Sequence, residues 1–368
     1  LQYRGGNIEI KDNRLTGLLE ENSYIEYIKK VPMPDIKELL EACKKAQDEY
    51  FKYGITTVQE GMFLEELIPI YKEMIKEEIL KIDVATYMDI KSKEKIEKEF
   101  PDNIKKYYNN MKIQGYKIFL DGSPQLRTAW MKTPYKTDNI NNKNNDNKNF
   151  GISTMKDEEV EKAVRLAEDE NMQILAHCNG DMAARQFIDV IKKQKNVSKI
   201  RPVMIHAQLL GIEDLKEVKQ YGIIPSFFVA HTYYWGDTHI KNFGLDRASK
   251  ISPAKSTLKN DIVFTFHQDS PVIEPNMFET IWCAVKRKTK KGILLGKDER
   301  ISVLEAIKAV TINAAYQYFE ENTKGSIKEG KFADLIIVDK NPLRVKIDEI
   351  KDIKILETIK KGVVNYKM

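Results

Sequence analysis

Short apolar runs that end at a chemically active side chain constrain the fold of this chain more than any other feature. Three of them occur, at residues 173–176 before His177, at 202–205 before His206 and at 262–266 shortly before Asp269. A helical pattern begins just after the first of them, at Gly180 and Asp181. In a parallel α/β barrel the carboxyl ends of the strands meet at the face that carries the active site. The repeated construction therefore predicts an α/β fold with one site built from several strand ends.

Strands that alternate with helical segments along the chain predict a parallel sheet. Seven segments have the strand pattern, at residues 55–58, 82–88, 115–120, 173–176, 202–205, 223–227 and 262–266. A closed (β/α)8 barrel needs eight strands. We therefore expect a TIM-like barrel whose first strand precedes Leu1.

The segments between the strands carry helix and loop signals. Helices are expected at about 34–53, 63–79 (disturbed by Pro69), 155–167 (capped by Thr154 and Asp157), 182–191, 212–221, 277–288 and 302–315 (capped by Ser302). Long loops are expected at 122–152 and 228–258, and an Asn-rich stretch at 138–149 in the first loop cannot bury apolar surface. Strand patterns at 330–339 and 363–366 form a small β appendage with too few strands to be stable alone.

Size and charge narrow the classes of function. The chain has 368 residues and 42% hydrophobic content, enough for one large domain with a small one. Its net charge of +5 is spread over alternating charges, which is typical of a solvated surface and not of a nucleic-acid interface. Three widely spaced cysteines favour a reducing, cytoplasmic location. No apolar run is long enough to span a bilayer, so we expect no membrane partner.

Four side chains at or near strand ends form the candidate site: Lys117, His177, His206 and Asp269. Neutral imidazoles and a carboxylate suit Zn²⁺ or a similar divalent ion. Lys117 becomes a ligand only as an anionic carbamate, and burial favours that reaction by lowering its pKa. Taken singly, each has a plainer interpretation: a hydrogen-bonded core histidine, a helix N-cap at Asp269, or half of a buried ion pair at Lys117. Together, in this strand order, they predict a metal site.

The expected long loops supply candidates for binding a substrate. His231 and Tyr233 lie in the second loop together with His239, and Arg127 lies in the first. We predict that Arg127, His231 and Tyr233 contact a small-molecule substrate, although ordinary loop positions remain the alternative. Cys178 points to the opposite side of its strand from His177 and is expected in the core.

Several stretches have a recognisable pattern: residues 54–58 (GITTV), 117–123 (KIFLDGS), 127–129 (RTA), 134–135 (PY), 177–181 (HCNGD), 206–208 (HAQ), 269–272 (DSPV) and 325–335 (GSIKEGKFADL). They resemble the amidohydrolase superfamily, specifically the amidohydrolase-3 (YtcJ-like) branch of metal-dependent hydrolases. The resemblance extends from near residue 1 to the C-terminus.

The resemblance implies a distorted (β/α)8 barrel that binds one or two divalent ions, most often Zn²⁺. Lys117 would be a carbamylated, bridging lysine, and His177 and His206 would bind the second ion. Asp269 would hold the first ion and act as general acid and base. A metal-activated hydroxide would attack a non-peptide carbon–nitrogen bond of the amide, N-acyl or formamide type.

One departure from the family pattern concerns the first strand. Its His-x-His pair is absent, because no histidine precedes His177. The first half of the family's small β-sandwich is absent too, so we expect an N-terminally truncated chain with a weakened or empty metal site.

The expected domains are an incomplete barrel at 1–325 and the C-terminal part of a β-sandwich at 326–368. A non-catalytic amidohydrolase-like binding protein is the alternative function, and a homodimer is compatible with the sequence.

Overall fold

The computed structural model describes residues 4–28, 30–32, 34–136 and 148–368. An antiparallel hairpin comes first, made of β1 (Gly6–Lys11) and β2 (Arg14–Glu21), and helix α1 (Asn22–Ile28) follows it. Asp12 and Asn13 form the turn with φ values of 50° and 59°. Asp and Asn tolerate this left-handed conformation better than most residues do.

A curled sheet of seven parallel strands forms the centre of the fold. Its strands are β3 (Thr57–Phe63), β4 (Asp83–Asp89), β5 (Met111–Phe119), β6 (Gln173–Cys178), β7 (Val203–His206), β8 (Ile224–Phe227) and β9 (Thr265–Phe266). They pair in chain order, with β3 and β9 at the two edges. The predicted parallel sheet is confirmed. Strand β5 begins earlier than expected because Met111 and Lys112 already pair with β4.

Helices connect the strands and cover the outer face of the sheet. They are α2 (Ile36–Lys52), α3 (Ile68–Lys76), α4 (Lys93–Glu99), α5 (Asp157–Asp169), α6 (Asp181–Ile191), α7 (Leu215–Gln220), α8 (His231–Tyr234), α9 (Gly236–Ala248), α10 (Ala254–Lys259), α11 (Met277–Lys286), α12 (Val303–Val310) and α13 (Ile312–Gln317). The main apolar core lies between this layer and the sheet, where Phe187 of α6 and Ile174 of β6 are fully buried. No helix in the described ranges is long and apolar enough to cross a membrane.

Two helix starts differ from the expectation. Pro69 lies in the first turn of α3 and does not disturb the helix, because the first helical N–H groups need no intrahelical partner. Thr154 does not cap α5, since its hydroxyl donates to the carbonyl of Phe119 at 2.6 Å. Glu159 closes that helix start instead, by accepting from the backbone N–H of Lys156 at 2.7 Å. The caps that Asp35 gives α2 and Ser302 gives α12 are present.

The expectation of a long loop at 228–258 was wrong, because α8, α9 and α10 occupy it. Helix α9 has no single apolar stripe, and Gly244 interrupts it with a φ of 83°. Both features conceal a helix from a search for periodicity. The Asn-rich stretch predicted at 138–149 falls largely on residues 137–147, which lie outside the described residues.

The concave side of the sheet has an apolar middle layer formed by Ala85, Tyr87, Leu175, Val203, Ile205 and Ile224. Residues two apart on a strand share a face. The concave face therefore carries further side chains on either side of this layer, towards the carboxyl ends and towards the amino ends of the strands. We call the carboxyl-end group the mouth; it comprises Lys117, His177, His206, His267 and Asp269. The amino-end group is the base; it comprises Asp83, Lys112, Glu320, Lys324 and Lys360.

The tail forms a separate antiparallel sheet of β10 (Leu335–Val338), β11 (Ile355–Lys360) and β12 (Val363–Lys367). The sequence indicated the outer two strands and missed β11. The sheet packs on α2, where the Thr358 hydroxyl donates to the carbonyl of Phe51 at 2.6 Å.

Candidate functional site

Histidine rings and a lysine meet at the mouth. The ring centroids of His177 and His206 lie 4.5 Å apart, and those of His206 and His267 lie 5.0 Å apart. Lys117 lies beside this cluster on the neighbouring strand β5, where its backbone pairs with Leu175 of β6. The structure thus brings together three of the four predicted side chains and adds His267.

Lys117 is buried, and its ammonium lies 4.9 Å from the centroid of the Phe119 ring. Burial lowers its pKa to about 8, against the opposing influence of the Asp269 charge. The pKa decrease predicted from its position on an interior strand is therefore present. A lysine with this pKa has an appreciable neutral fraction at physiological pH, which is the form that reacts with CO₂.

His177 is oriented by a carboxylate that sequence reasoning did not single out. Its Nδ1 lies 3.2 Å from Oδ1 of Asp121, which is almost fully buried. Asp121 also accepts from the backbone N–H groups of Asn179 at 2.9 Å, Gly180 at 2.6 Å and Trp130 at 3.0 Å. This arrangement assigns the proton to Nδ1 of His177 and leaves the lone pair on Nε2, where the amide nitrogen of Asn179 lies 3.3 Å away.

The backbone after β6 makes that arrangement possible. A Cβ atom added at Gly180 would lie 1.9 Å from the carbonyl oxygen of Trp130. Only glycine permits this approach, which brings the Gly180 N–H to Asp121 while α6 begins at Asp181. The Gly-Asp step after His177 thus positions the histidine as well as starting the helix.

His206 reaches the mouth through an unusual backbone conformation. Its φ is 69°, and that of Ala207 is 46°. Such strain at a non-glycine residue is uncommon and concentrates at functional sites. Nδ1 of His206 lies 3.1 Å from Nε2 of His267, and Nδ1 of His267 lies 3.0 Å from the hydroxyl of Ser226.

Burial keeps these imidazoles neutral. It lowers the pKa of His206 well below its usual value, with further lowering from His177 and His267. It lowers the pKa of His267 to about 4, although Asp269 opposes the effect. Neutral imidazoles retain the lone pairs that a metal ion needs. The sequence offered one signal for His267, its position directly after β9.

Asp269 is exposed at the rim of the mouth, with a φ of 55°. Its negative charge acts on both Lys117 and His267 and opposes part of the decrease in pKa that burial causes at each. It therefore lies beside the cluster in an accessible position, from which a carboxylate can exchange protons with a bound molecule.

The donor atoms at the mouth fit a divalent ion in type. Nδ1 of His206 is engaged with Nε2 of His267 at 3.1 Å, so the other ring nitrogen of His206 is the one left for an ion. Within the described ranges, no three His, Cys, Asp or Glu side chains are close enough to hold an ion together. The described mouth is thus a hydrogen-bonded pair of imidazoles, with Lys117, His177 and Asp269 around it.

Glu21 from the N-terminal hairpin approaches the same region and was also missed by sequence reasoning. A Cβ atom at Gly122 would lie 2.0 Å from Oε1 of Glu21 and 2.2 Å from the hydroxyl of Thr128. Burial raises the pKa of Glu21 above its ordinary value, and a hydrogen bond from Thr128 and the neighbouring His177 offset only part of this increase. Nothing in the local sequence distinguishes Glu21 from the adjacent Glu20.

The three predicted substrate contacts lie in different surroundings. Arg127 donates from Nε to Asn242 of α9 at 2.9 Å. Tyr233 packs against the ring of Trp282, with centroids 5.1 Å apart. His231 is buried, and its Nδ1 lies 3.1 Å from Nε2 of His239. Their contact with a substrate stays a prediction.

The five histidines of the chain form one continuous group of ring contacts. Phe228 joins the two parts, since its centroid lies 6.4 Å from that of His206 and 4.6 Å from that of His231. Burial lowers the pKa of His231 well below its usual value and that of His239 to about 3. Cys178 is buried in the main core, as expected.

A model of the amidohydrolase family matches residues 4–366 of the chain. The chain is 27% identical over 257 residues to the putative amidohydrolase YtcJ of Bacillus subtilis, an alignment that covers 68% of this chain and 46% of that protein. It is 31% identical over 118 residues to an N-substituted formamide deformylase of Arthrobacter pascens, covering 32% of this chain and 22% of that enzyme. The chain therefore spans less than half the length of these curated relatives.

A solved structure of similar fold is an uncharacterized metal-dependent hydrolase from Pyrococcus horikoshii. It superposes with a TM-score of 0.76 at 22% identity and covers 93% of this chain and 68% of that one. At this identity the likeness concerns the fold alone.

Proposed function

The chain belongs to the amidohydrolase family, and on that premise we propose that it forms part of a metal-dependent hydrolase acting on a non-peptide carbon–nitrogen bond. The substrate class is an N-acyl or N-formyl amine. The observation that carries the proposal is the cluster of neutral imidazoles and the buried lysine at the strand ends. A relative that is a formamide deformylase supports the choice of substrate class.

Lys117, as its carbamate, together with His177, His206 and Asp269 would hold one or two divalent ions, with zinc preferred for imidazole and carboxylate donors. A bound divalent ion polarises a carbonyl and acidifies water at neutral pH. Asp121 holds His177 with its Nε2 lone pair available, provided that the Asn179 amide moves aside. His267 would keep the His206 ring in place through its own contact with Ser226.

Asp269 would move the proton. From the rim it would take a proton from the attacking water and give it to the leaving nitrogen. Lys117 and the imidazoles lie around a region that the apolar middle layer closes from below. That wall limits the access of other water molecules to the reacting bond.

We further propose the finer architecture that the family implies. A further strand between the edges β3 and β9 would close the barrel, and Tyr53 already links the two sides by donating to Glu274 at 2.8 Å. The division at residues 325 and 326 would separate the barrel from part of a β-sandwich. Three free cysteines support a reducing, cytoplasmic location.

The test is a panel of N-formyl, N-acyl and cyclic amides, assayed with the 368-residue chain and added Zn²⁺. Asp269→Asn should lower kcat/KM by about 10²–10⁴-fold, the usual contribution of a general acid or base. Asp246→Asn, an exposed carboxylate paired with Lys250, is the control and should leave turnover unchanged.

Equal turnover by Asp269→Asn and the original chain would refute the role of Asp269. Saturable binding of an amide without any hydrolysis would favour the alternative of a binding protein. Absence of zinc-dependent hydrolysis and of amide binding would refute the proposed function for this chain.

A further inference from the structure

A cavity lies at the opposite end of the sheet from the mouth. It has a volume of about 540 Å³, which is in the range of small-molecule sites. The amino ends of β4, β5 and β6 form one wall, through Asp83, Lys112 and Gln173, and the segment after α13 forms another, through Tyr318 and Glu320. The apolar middle layer separates this cavity from the mouth.

The cavity is lined by six lysines and only two carboxylates, Asp83 and Glu320. The lysines are Lys105, Lys106, Lys112, Lys199, Lys324 and Lys361. This surplus of positive charge is local, because the whole chain carries a net charge of only +5 over 368 residues.

The deepest of these charges share their partners. Lys324 contacts Asp83 at 2.6 Å and Glu320 at 2.7 Å. Lys360 lies 2.7 Å from the same oxygen of Asp83, and Lys361 lies 3.4 Å from its other oxygen. Lys112 also pairs with Glu320. Two carboxylates therefore serve four ammonium groups.

Burial makes this imbalance costly. Lys112, Lys324 and Lys360 are 4%, 7% and 4% exposed. Buried charges need nearly full compensation, because water no longer screens them. The charge of Asp334 reaches Lys360 as well, yet four ammonium groups still face three carboxylates. Of the rim lysines, Lys106 pairs with Asp102 at 3.6 Å, and Lys105 and Lys199 add to the excess.

Aromatic rings lie beside the lysines of the cavity and suit a small anion. The ring of Tyr107 lies between two ammonium groups, 4.8 Å from that of Lys112 and 4.7 Å from that of Lys324. Phe332 lies below Lys361 at 5.6 Å. Lys112 donates to Glu320 and to the carbonyl of Tyr318, and Lys361 donates to Asp83 and Asn110, so each retains one N–H for an oxygen acceptor. Lys324 uses its three N–H groups on Thr57, Asp83 and Glu320 and would attract an anion through its charge.

We propose that the base cavity binds a small oxyanion carrying two or more negative charges, through Lys112, Lys324 and Lys361. Such a ligand supplies the missing negative charge and accepts hydrogen bonds from several ammonium groups at once. The site is separate from the mouth and does not depend on the proposed hydrolase activity.

Calorimetric titration of the 368-residue, metal-free chain tests this site. Pyrophosphate and citrate are the two probes, each at an ionic strength fixed with NaCl. We expect saturable one-site binding of at least one probe. A preference for pyrophosphate would identify a phosphate ligand, and a preference for citrate a polycarboxylate.

Two substitutions should act in opposite directions. Lys361→Gln removes one positive charge and should weaken binding by about three- to tenfold, whereas Glu320→Gln removes a competing carboxylate and should strengthen it by a similar factor. Lys250→Gln alters an exposed lysine that does not line the cavity and should change nothing. His206→Asn, at the mouth, should also leave binding unchanged.

Lys361 is 40% exposed at its side chain, so its variant keeps the test valid even if Glu320→Gln fails to fold. Absence of saturable binding of both probes up to about 10 mM would overturn the proposal. Binding that is lost in His206→Asn but retained in Lys361→Gln would do the same, because it would place the anion at the mouth.

Discussion

Polar groups at the mouth and at the base of the sheet are held in opposite ionisation states. At the mouth, burial keeps His206 and His267 neutral by lowering their pKa values. At the base, burial raises the pKa of Asp83, but Lys324 and Lys360 outweigh this effect and the net pKa is lowered. The base therefore holds ion pairs, whereas His206 and His267 at the mouth are uncharged and keep lone pairs.

The two ends therefore differ in what burial leaves behind: ion pairs with an excess of lysines at the base, and uncharged imidazoles at the mouth. Removing one partner from a buried ion pair lowers the free energy of unfolding, because it leaves the other charge uncompensated. Neutral imidazoles cost less to bury and stay available to an incoming ion. Burial alone therefore does not define the role of a polar cluster, because the charged groups in contact with a buried side chain decide its charge state.

The largest expected effect is at the base. Asp83→Asn leaves Lys324 and Lys360 without their shared carboxylate and should lower the free energy of unfolding by about 3–5 kcal/mol. Urea unfolding, followed by circular dichroism, measures the change. The matched control is Asp246→Asn at an exposed pair, which should be unchanged within error. A loss no larger than that of the control would show that the base network contributes nothing to stability.

The next effect concerns the mouth and should appear in metal affinity. Asp121→Asn removes the carboxylate that fixes the His177 ring and should weaken zinc binding about 10–100-fold. Competition with a chromophoric chelator measures the affinity. Asp189→Asn, exposed on the adjacent helix α6 and paired with Arg185 at 2.8 Å, is the control.

The effect of Asp121 should depend on His177. In the His177→Ala background, Asp121→Asn should cause little further loss, since both act through one ligand. Fully additive losses would contradict the assignment of Asp121 as the residue that positions His177.

The smallest effect per residue is a pH dependence of stability that distinguishes the histidines from the base. Four histidines have folded pKa values below the ordinary 6.5: His206, His231, His239 and His267. Below pH 6.5 the unfolded chain therefore binds more protons than the folded chain. Stability should therefore fall as pH falls below 6.5, by roughly 1.6 kcal/mol per histidine between pH 6.5 and 5. On the acidic side the base contributes only at lower pH. The folded pKa of Asp83 lies below its ordinary 3.8, so its stabilising contribution is lost as pH falls from 3.8 towards that lower value.

Urea unfolding of the metal-free chain at pH 6.5 and 5 measures this dependence. His239→Phe, which keeps a ring against Phe243, should reduce the fall by about the contribution of one histidine. An equal fall in the variant would show that His239 is not the titrating group.

Much of the sheet was predictable, because β-branched and apolar runs at regular spacing identify buried parallel strands. Loop and helix signals were less informative. Helix α9 has no apolar stripe, and β11 lies in a tail whose strands alternate weakly between exposed and buried positions. Pro69 was interpreted as a disturbance because its position within the helix depends on where α3 starts.

At the site, the sequence identified the strand-end residues Lys117, His177 and His206, whose positions follow from strand order. It did not identify Asp121 or His267. A carboxylate that accepts three backbone N–H groups, or an imidazole bonded to another imidazole, is defined by distances between segments far apart in the chain. Spacing along one strand contains no information about them.

The sequence by itself determined the parallel α/β architecture, the family, and the strand ends at which the chemistry is expected, because all three depend on local patterns and their order. Only the tertiary structure decided the charge states. Lys117 and Lys324 are both buried lysines, yet the pKa of Lys117 is lowered to about 8 whereas that of Lys324 is raised. Burial acts on both, and Asp83 and Glu320 outweigh it only at Lys324 because they lie within contact distance there.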